Sequence, residues 1–132
     1  MSTAIIENEY ATLWYHPDSK IVHHRIYKPI GGQTFRDVMN KGAEVFQKFG
    51  AQKWLSDDRG NSALSPEDSD WGTNDWTPRV IAAGWKYWAV IMPEKVIGQI
   101  NMQRFIKANS ELGVVTQVFS DPDEALRWLE TQ

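Results

Sequence analysis

Apolar residues change their spacing several times along the chain, and each change marks an element. Tyr10 to Tyr15 and Ile21 to Tyr27 are two β-rich runs divided by His16-Pro17-Asp18-Ser19-Lys20, a hairpin signal, with residues 1–9 reading as a short arm ahead of them. Pro29-Ile30-Gly31-Gly32 breaks the second run. Thr34 is then placed to cap a helix in which Phe35, Val38, Gly42, Val45, Phe46 and Phe49 recur at three- and four-residue intervals. Gly50 closes that helix, and Lys53-Trp54-Leu55-Ser56-Asp57 reads as a short buried strand. Ser65-Pro66 and Thr77-Pro78 each pair a capping hydroxyl with a proline at the first helical position, which predicts two short helices or one kinked one, stopped by Gly84. Tyr87 to Met92 is apolar without interruption, as a strand buried on both faces would be. A helix is expected over residues 95–109, a strand over Val114 to Phe119, and a last helix from Asp121-Pro122 with Ala125, Leu126, Trp128 and Leu129 facing inward.

The resulting order, β-β-α-β-α-β-α-β-α, predicts an α/β fold. Its sheet is mostly parallel, has about five strands with an antiparallel N-terminal edge strand, and is covered by helices on right-handed crossovers. The length of 132 residues and the ordinary globular composition, 42% hydrophobic and 23% charged, suit one domain spanning residues 1–132. A net charge of −3 offers no general attraction to phosphate backbones, so nucleic acid is not an expected partner. The absence of cysteine removes disulfides, thiolate metal sites and a thiol nucleophile from consideration. No apolar stretch is long enough for a membrane span, and the acid-bearing start MSTAIIENEY is unlike a secretory signal, so a cytoplasmic location is expected.

Several stretches together resemble a known family: Lys53-Trp54-Leu55 leading into Asp57, Ser65-Pro66-Glu67-Asp68 followed by Trp71, Trp76 with Pro78-Arg79, Ala83-Gly84 before the apolar run, and Val118-Phe119 with Glu124-Ala125-Leu126-Arg127-Trp128-Leu129. They are similar to small single-domain bacterial proteins of the SpoIIAA-like, or STAS, superfamily, which also includes CRAL/TRIO-type lipid-binding domains. The resemblance covers nearly the whole chain and implies a β-α superhelix with a non-catalytic regulatory or binding role. One departure matters: Ser56-Asp57-Asp58-Arg59-Gly60-Asn61-Ser62 does not reproduce the turn that carries the switched serine in anti-sigma-factor antagonists, so no phosphoserine is carried over.

Ligands of open α/β sheets bind beyond the carboxyl ends of the strands, which nominates Asp57, Asp58 and Arg59. The plainer account is a loop held by aspartate caps and an Asp-Arg pair. Trp71, Trp76 and Arg79 are residue types that anchor interfaces, and they follow the same strand; the plainer account makes the indoles the inner face of short helices. His23 and His24 are consecutive on a strand, so they face opposite ways and cannot share a metal. Gly31-Gly32 could free amides for an anion, although a strand-to-helix turn accounts for both. No cofactor or metal is implied. The leading expectation is a non-enzymatic domain that binds a protein partner or a small apolar ligand through Asp57, Asp58, Arg59, Trp71, Trp76 and Arg79. The alternative is a small hydrolase or isomerase with Asp57 or Asp58 as general base, which requires a histidine and a closed pocket nearby. A homo-oligomer held by exposed aromatic surface is a third.

Overall fold

A computed structural model describes residues 2–132. Strands β1 (Thr3–Glu7), β2 (Ala11–His16), β3 (Ile21–Ile26), β4 (Lys53–Asp57), β5 (Tyr87–Ile91) and β6 (Val115–Phe119) form one sheet in which sequence order and spatial order coincide. β1, β2 and β3 are antiparallel neighbours, whereas β3 through β6 pair in parallel. The sheet is therefore mixed, with six strands. The expected arm contains a strand, β1, and this moves β2 from the edge to an interior position. Residues 3–7 lack the strict alternation of a half-buried strand, because β1 lies at the margin of the sheet and its residues are exposed or only half-buried. His16, expected in the turn, is instead the last residue of β2.

Parallel neighbours require crossovers. Helix α1 (Gly32–Lys48) joins β3 to β4, a helical run over residues 66–82 joins β4 to β5, and α4 (Val96–Glu111) joins β5 to β6. These helices share one face of the sheet, where Trp54, Trp76, Trp85, Trp88, Phe35 and Phe46 belong to the larger core. The last helix, α5 (Pro122–Glu130), covers the other face, packing Ala125 and Leu129 on Ile21, Leu55, Ala89 and Ile91. Leu55 and Ala89 thus meet α5 while Trp54 and Trp88 meet the crossover helices, as the two-residue strand period demands.

Local chemistry explains the helix ends. Ser65 caps α2 (Pro66–Trp71) by accepting from the Asp68 amide at 3.1 Å, and Asp121 caps α5 through the Asp123 amide at 3.3 Å. The first long helix starts at Gly32, two residues before the expected Thr34 cap. Its terminal Gly32 N–H donates to the Asp68 carboxylate at 2.9 Å, so a carboxylate from α2 occupies the anion position that Gly31-Gly32 offered. Between α2 and α3 (Thr77–Ala82) the helix widens into a π turn over Gly72–Trp76. Pro78 has no N–H and its ring crowds the carbonyl of Asn74, and a wide turn accommodates both effects without ending the helix. Of the two forms expected, one interrupted helical run is what forms.

Close packing also fixes how near α1 lies to the sheet. Gly42 faces the Trp54 ring, and a methyl group there would overlap it. By contrast α4 turns Met102, Phe105 and Ile106 toward the core and leaves Val96, Ile97 and Ile100 exposed. Among the described residues no helix is long and apolar enough to cross a membrane.

Candidate functional site

The strand period separates the two adjacent aspartates. Asp57, at the end of β4, sits on the α5 side and is buried; its oxygens accept from Arg59 Nε at 2.9 Å and Nη2 at 2.8 Å. This bidentate pair raises the Arg59 pKa, chiefly through the hydrogen bonds to Asp57. Asp58 turns to the opposite side, so the two carboxylates do not share a ligand.

In the parallel register His24 stands beside Ser56, and its ring nitrogens reach the next residues on the same face of the chain, Trp54 two positions before Ser56 and Asp58 two positions after it. Its Nδ1 accepts from Trp54 Nε1 at 3.0 Å, and its Nε2 lies 2.7 Å from Asp58 Oδ1. An indole N–H can only donate, so Nδ1 carries no proton. The ring proton consequently sits on Nε2 and points at Asp58. His24 is a neutral imidazole with both nitrogens engaged, and Asp58 is a carboxylate held at one oxygen. Asp58 is only 7% exposed, and its hydrogen bond to His24 uses Oδ1; Oδ2 is not among the fully enclosed unpartnered atoms, which are His23 Nε2 and Arg36 Nε among the described residues.

That carboxylate lines a cavity of about 70 Å³ between the sheet and the crossover helices. One water needs roughly 10–15 Å³ and a cavity of about 150 Å³ admits benzene, so an occupant of a few heavy atoms fits. Trp71, Trp76, Trp85, Trp88, Phe35 and Phe105 supply aromatic walls. The buried indoles have spent their N–H groups elsewhere: Trp76 on the Met39 carbonyl at 2.7 Å, Trp85 on the Tyr87 carbonyl at 3.2 Å and Trp88 on Ser56 Oγ at 2.8 Å. They present ring surface to the cavity. Trp54, Trp76, Trp85 and Trp88 form a connected series, with successive ring centroids at 5.1, 5.7 and 5.3 Å for Trp54 to Trp76, Trp76 to Trp85 and Trp85 to Trp88. Asn61, Asn101 and the buried Asn109 add polar points to the lining.

The six residues expected at the site do not form one surface. Asp58, Trp71 and Trp76 line the cavity, whereas Asp57 and Arg59 pair on the far side of the sheet. Trp76 is core, 5% exposed, and Trp71 is half-buried, its ring edge-on to Phe35 at 5.9 Å with the Arg36 guanidinium above it at 5.3 Å. Arg79 projects outward, bonding Asn40 at 2.7 Å and facing Asp75 at 3.4 Å. His24, Ser56, Trp88, Asn101, Phe105 and Asn109 were not among the expected site residues. Period-two alternation through Trp54, Ser56 and Asp58 was the available signal for their shared face.

A second histidine cluster lies on the α5 side. His23 Nδ1 is 3.1 Å from His16 Nε2, Trp14 leans on the His23 ring at 4.5 Å, and His23 Nε2 is buried without a partner. Burial pushes the His23 pKa down to about 3, reinforced by His16, His24 and Arg25. Burial also lowers His16, with Glu130 opposing. Among the described residues no three His, Asp or Glu side chains are grouped as metal ligands.

No protein-family model, curated protein or solved structure matches the chain.

The wall tolerates a specific change. A methyl on Gly72 would meet Phe105 at 3.5 Å, ordinary contact distance, and the backbone there is helical. Gly72→Ala is expected to fold normally and to change stability by no more than about 1 kcal/mol in urea unfolding, with gain the favoured sign because alanine suits a helix better.

Proposed function

We propose that the protein is a non-enzymatic binding domain whose ligand is a small, largely apolar molecule held inside the fold, between the sheet and α4. The observation that carries this reading is Asp58: a buried carboxylate, fixed at one oxygen by a neutral imidazole, faces an aromatic cavity. Leaving such a group unpaired in the interior costs free energy, and a ligand able to satisfy it recovers that cost. The cavity lining, apolar with a few placed polar groups, is of the kind small-molecule sites have, at a volume that limits the ligand to a few heavy atoms. The same reading assigns the fold to the SpoIIAA-like superfamily. Its support is the consecutive order of β3 to β6, with every intervening helix on one face, as a β-α superhelix requires.

The contact between His24 and Asp58 also favours a second reading, in which Asp58 is the general base of an isomerase. His24 cannot itself exchange protons with a substrate while Trp54 and Asp58 hold both its nitrogens, so Asp58 Oδ2 would be the working atom and His24 a positioning residue. Binding is preferred because Asp58 is the one carboxyl among the residues lining the cavity and His24 is engaged at both nitrogens, so no second acid is free to polarise a substrate while Asp58 takes its proton and gives it back.

An NMR screen with fragments of up to about four heavy atoms separates these readings. Binding predicts fragments that move the indole signals of Trp76, Trp85 and Trp88 without being transformed. A bound fragment that exchanges carbon-attached hydrogen with heavy water in wild type, and not in Asp58→Asn, selects the general-base reading. Indole signals that no fragment moves would refute both.

A further inference from the structure

Resting on the cavity reading above, we infer that the ligand bears a positive charge: the site takes a small protonated amine, its ammonium group against Asp58 and its hydrocarbon part among the tryptophan rings. The first reason is charge balance. Among the residues lining the cavity, Asp58 is the one carboxylate and none is Lys or Arg. Of the nearby guanidinium groups, Arg59 is committed to Asp57 at 2.8 Å, and Arg36 sits 3.5 Å from Asp68. His24, the direct partner of Asp58, is held neutral by the Trp54 indole. The interior therefore holds one carboxylate charge with no cation set against it, and burying an ion unpaired is costly.

The second reason is the wall chemistry. The N–H groups of Trp76, Trp85 and Trp88 are taken by Met39, Tyr87 and Ser56, so these three rings bring π surface to the cavity and no N–H donor. Ring faces attract cations and repel anions, and the attraction strengthens where water is excluded. The fold already uses this pairing at its margin, where Arg36 lies over Trp71 at 5.3 Å. An alkylammonium adds what a quaternary cation lacks, N–H groups that Asp58 Oδ2 can accept. Size sets the remaining limit: a free volume of about 70 Å³ suits a short alkyl chain.

Three probes of similar size separate charge from fit: ethylammonium, ethanol and acetate, each titrated at constant ionic strength while the indole signals are followed by NMR. Ethylammonium is expected to move the Trp76, Trp85 and Trp88 signals saturably, with ethanol at least about tenfold weaker and acetate inactive. In Asp58→Asn, the ethylammonium response should fall at least about tenfold while the ethanol response persists. Ethanol binding as well as ethylammonium, or acetate binding better, overturns the cation assignment and leaves the cavity reading standing. No response to any of the three overturns the cation assignment, and the broader fragment screen then decides the cavity reading on its own. The wild-type comparison decides the matter even where the variant does not fold.

Discussion

Trp54→Ala is expected to cost about 3–5 kcal/mol, a large share of the roughly 5–15 kcal/mol by which a domain is stable. Trp54 is fully buried, faces Gly42 on α1, and has ring neighbours in Phe46, Trp76, Trp85 and His24. Its removal opens a large void and deletes the one donor to His24 Nδ1. Urea unfolding measures the cost. Trp54→Phe divides it, since most of the ring volume returns while the N–H does not. This milder variant should recover more than half of the lost stability, yet leave His24 free to change tautomer. A Trp54→Phe protein as unstable as Trp54→Ala would mean that the hydrogen bond, not the packing, dominates.

Acid is expected to destabilise the protein through His23 in a defined window. Burial holds this imidazole near a pKa of 3, well below the value of about 6.5 in an unfolded chain. Between those values the unfolded chain binds a proton that the folded one refuses. His23 therefore costs nothing above pH 6.5, and stability is lost as the pH falls toward 3. The slope is about 1.4 kcal/mol per pH unit, so about 2 kcal/mol is gone by pH 5. Urea midpoints measured for wild type and His23→Leu between pH 7 and 4.5 report it directly: the wild type should fall more steeply. Parallel curves would show that His23 does not titrate in this way.

The strands and helices were legible where one physical signal dominated. Ser65-Pro66 and Asp121-Pro122 announce helix starts because the cap and the proline act within three residues of one another. The uninterrupted apolar run from Tyr87 reads as an interior strand because β5 has a neighbour on each side and helices over both faces. β1 was missed because a marginal strand needs no inward-facing stripe, and its evidence is pairing with β2, which is not local. The site was half legible. Asp58, Trp71 and Trp76 drew notice by residue type, but the meeting of His24 with Asp58 depends on the register of β3 against β4, set across the whole length of α1. Asn109 carried no signal at all: a polar residue in a helix reads as solvent-facing, and only tertiary packing buries it. Arg79 drew notice for a chemistry it exercises outside the cavity, with Asn40 and Asp75.

The unmet charge at Asp58, and with it a cationic ligand, depends on the charge state of one ring. Nitrogen-15 NMR of the His24 imidazole at neutral pH, assigned by comparison with His24→Gln, reads the proton on each nitrogen. The hydrogen bonds from Trp54 and to Asp58 predict a neutral ring, protonated at Nε2 and bare at Nδ1. An imidazolium, or a ring protonated at Nδ1, would contradict the account, because the Asp58 carboxylate would then be balanced or differently held, and the cavity would have no unmet charge to offer a ligand.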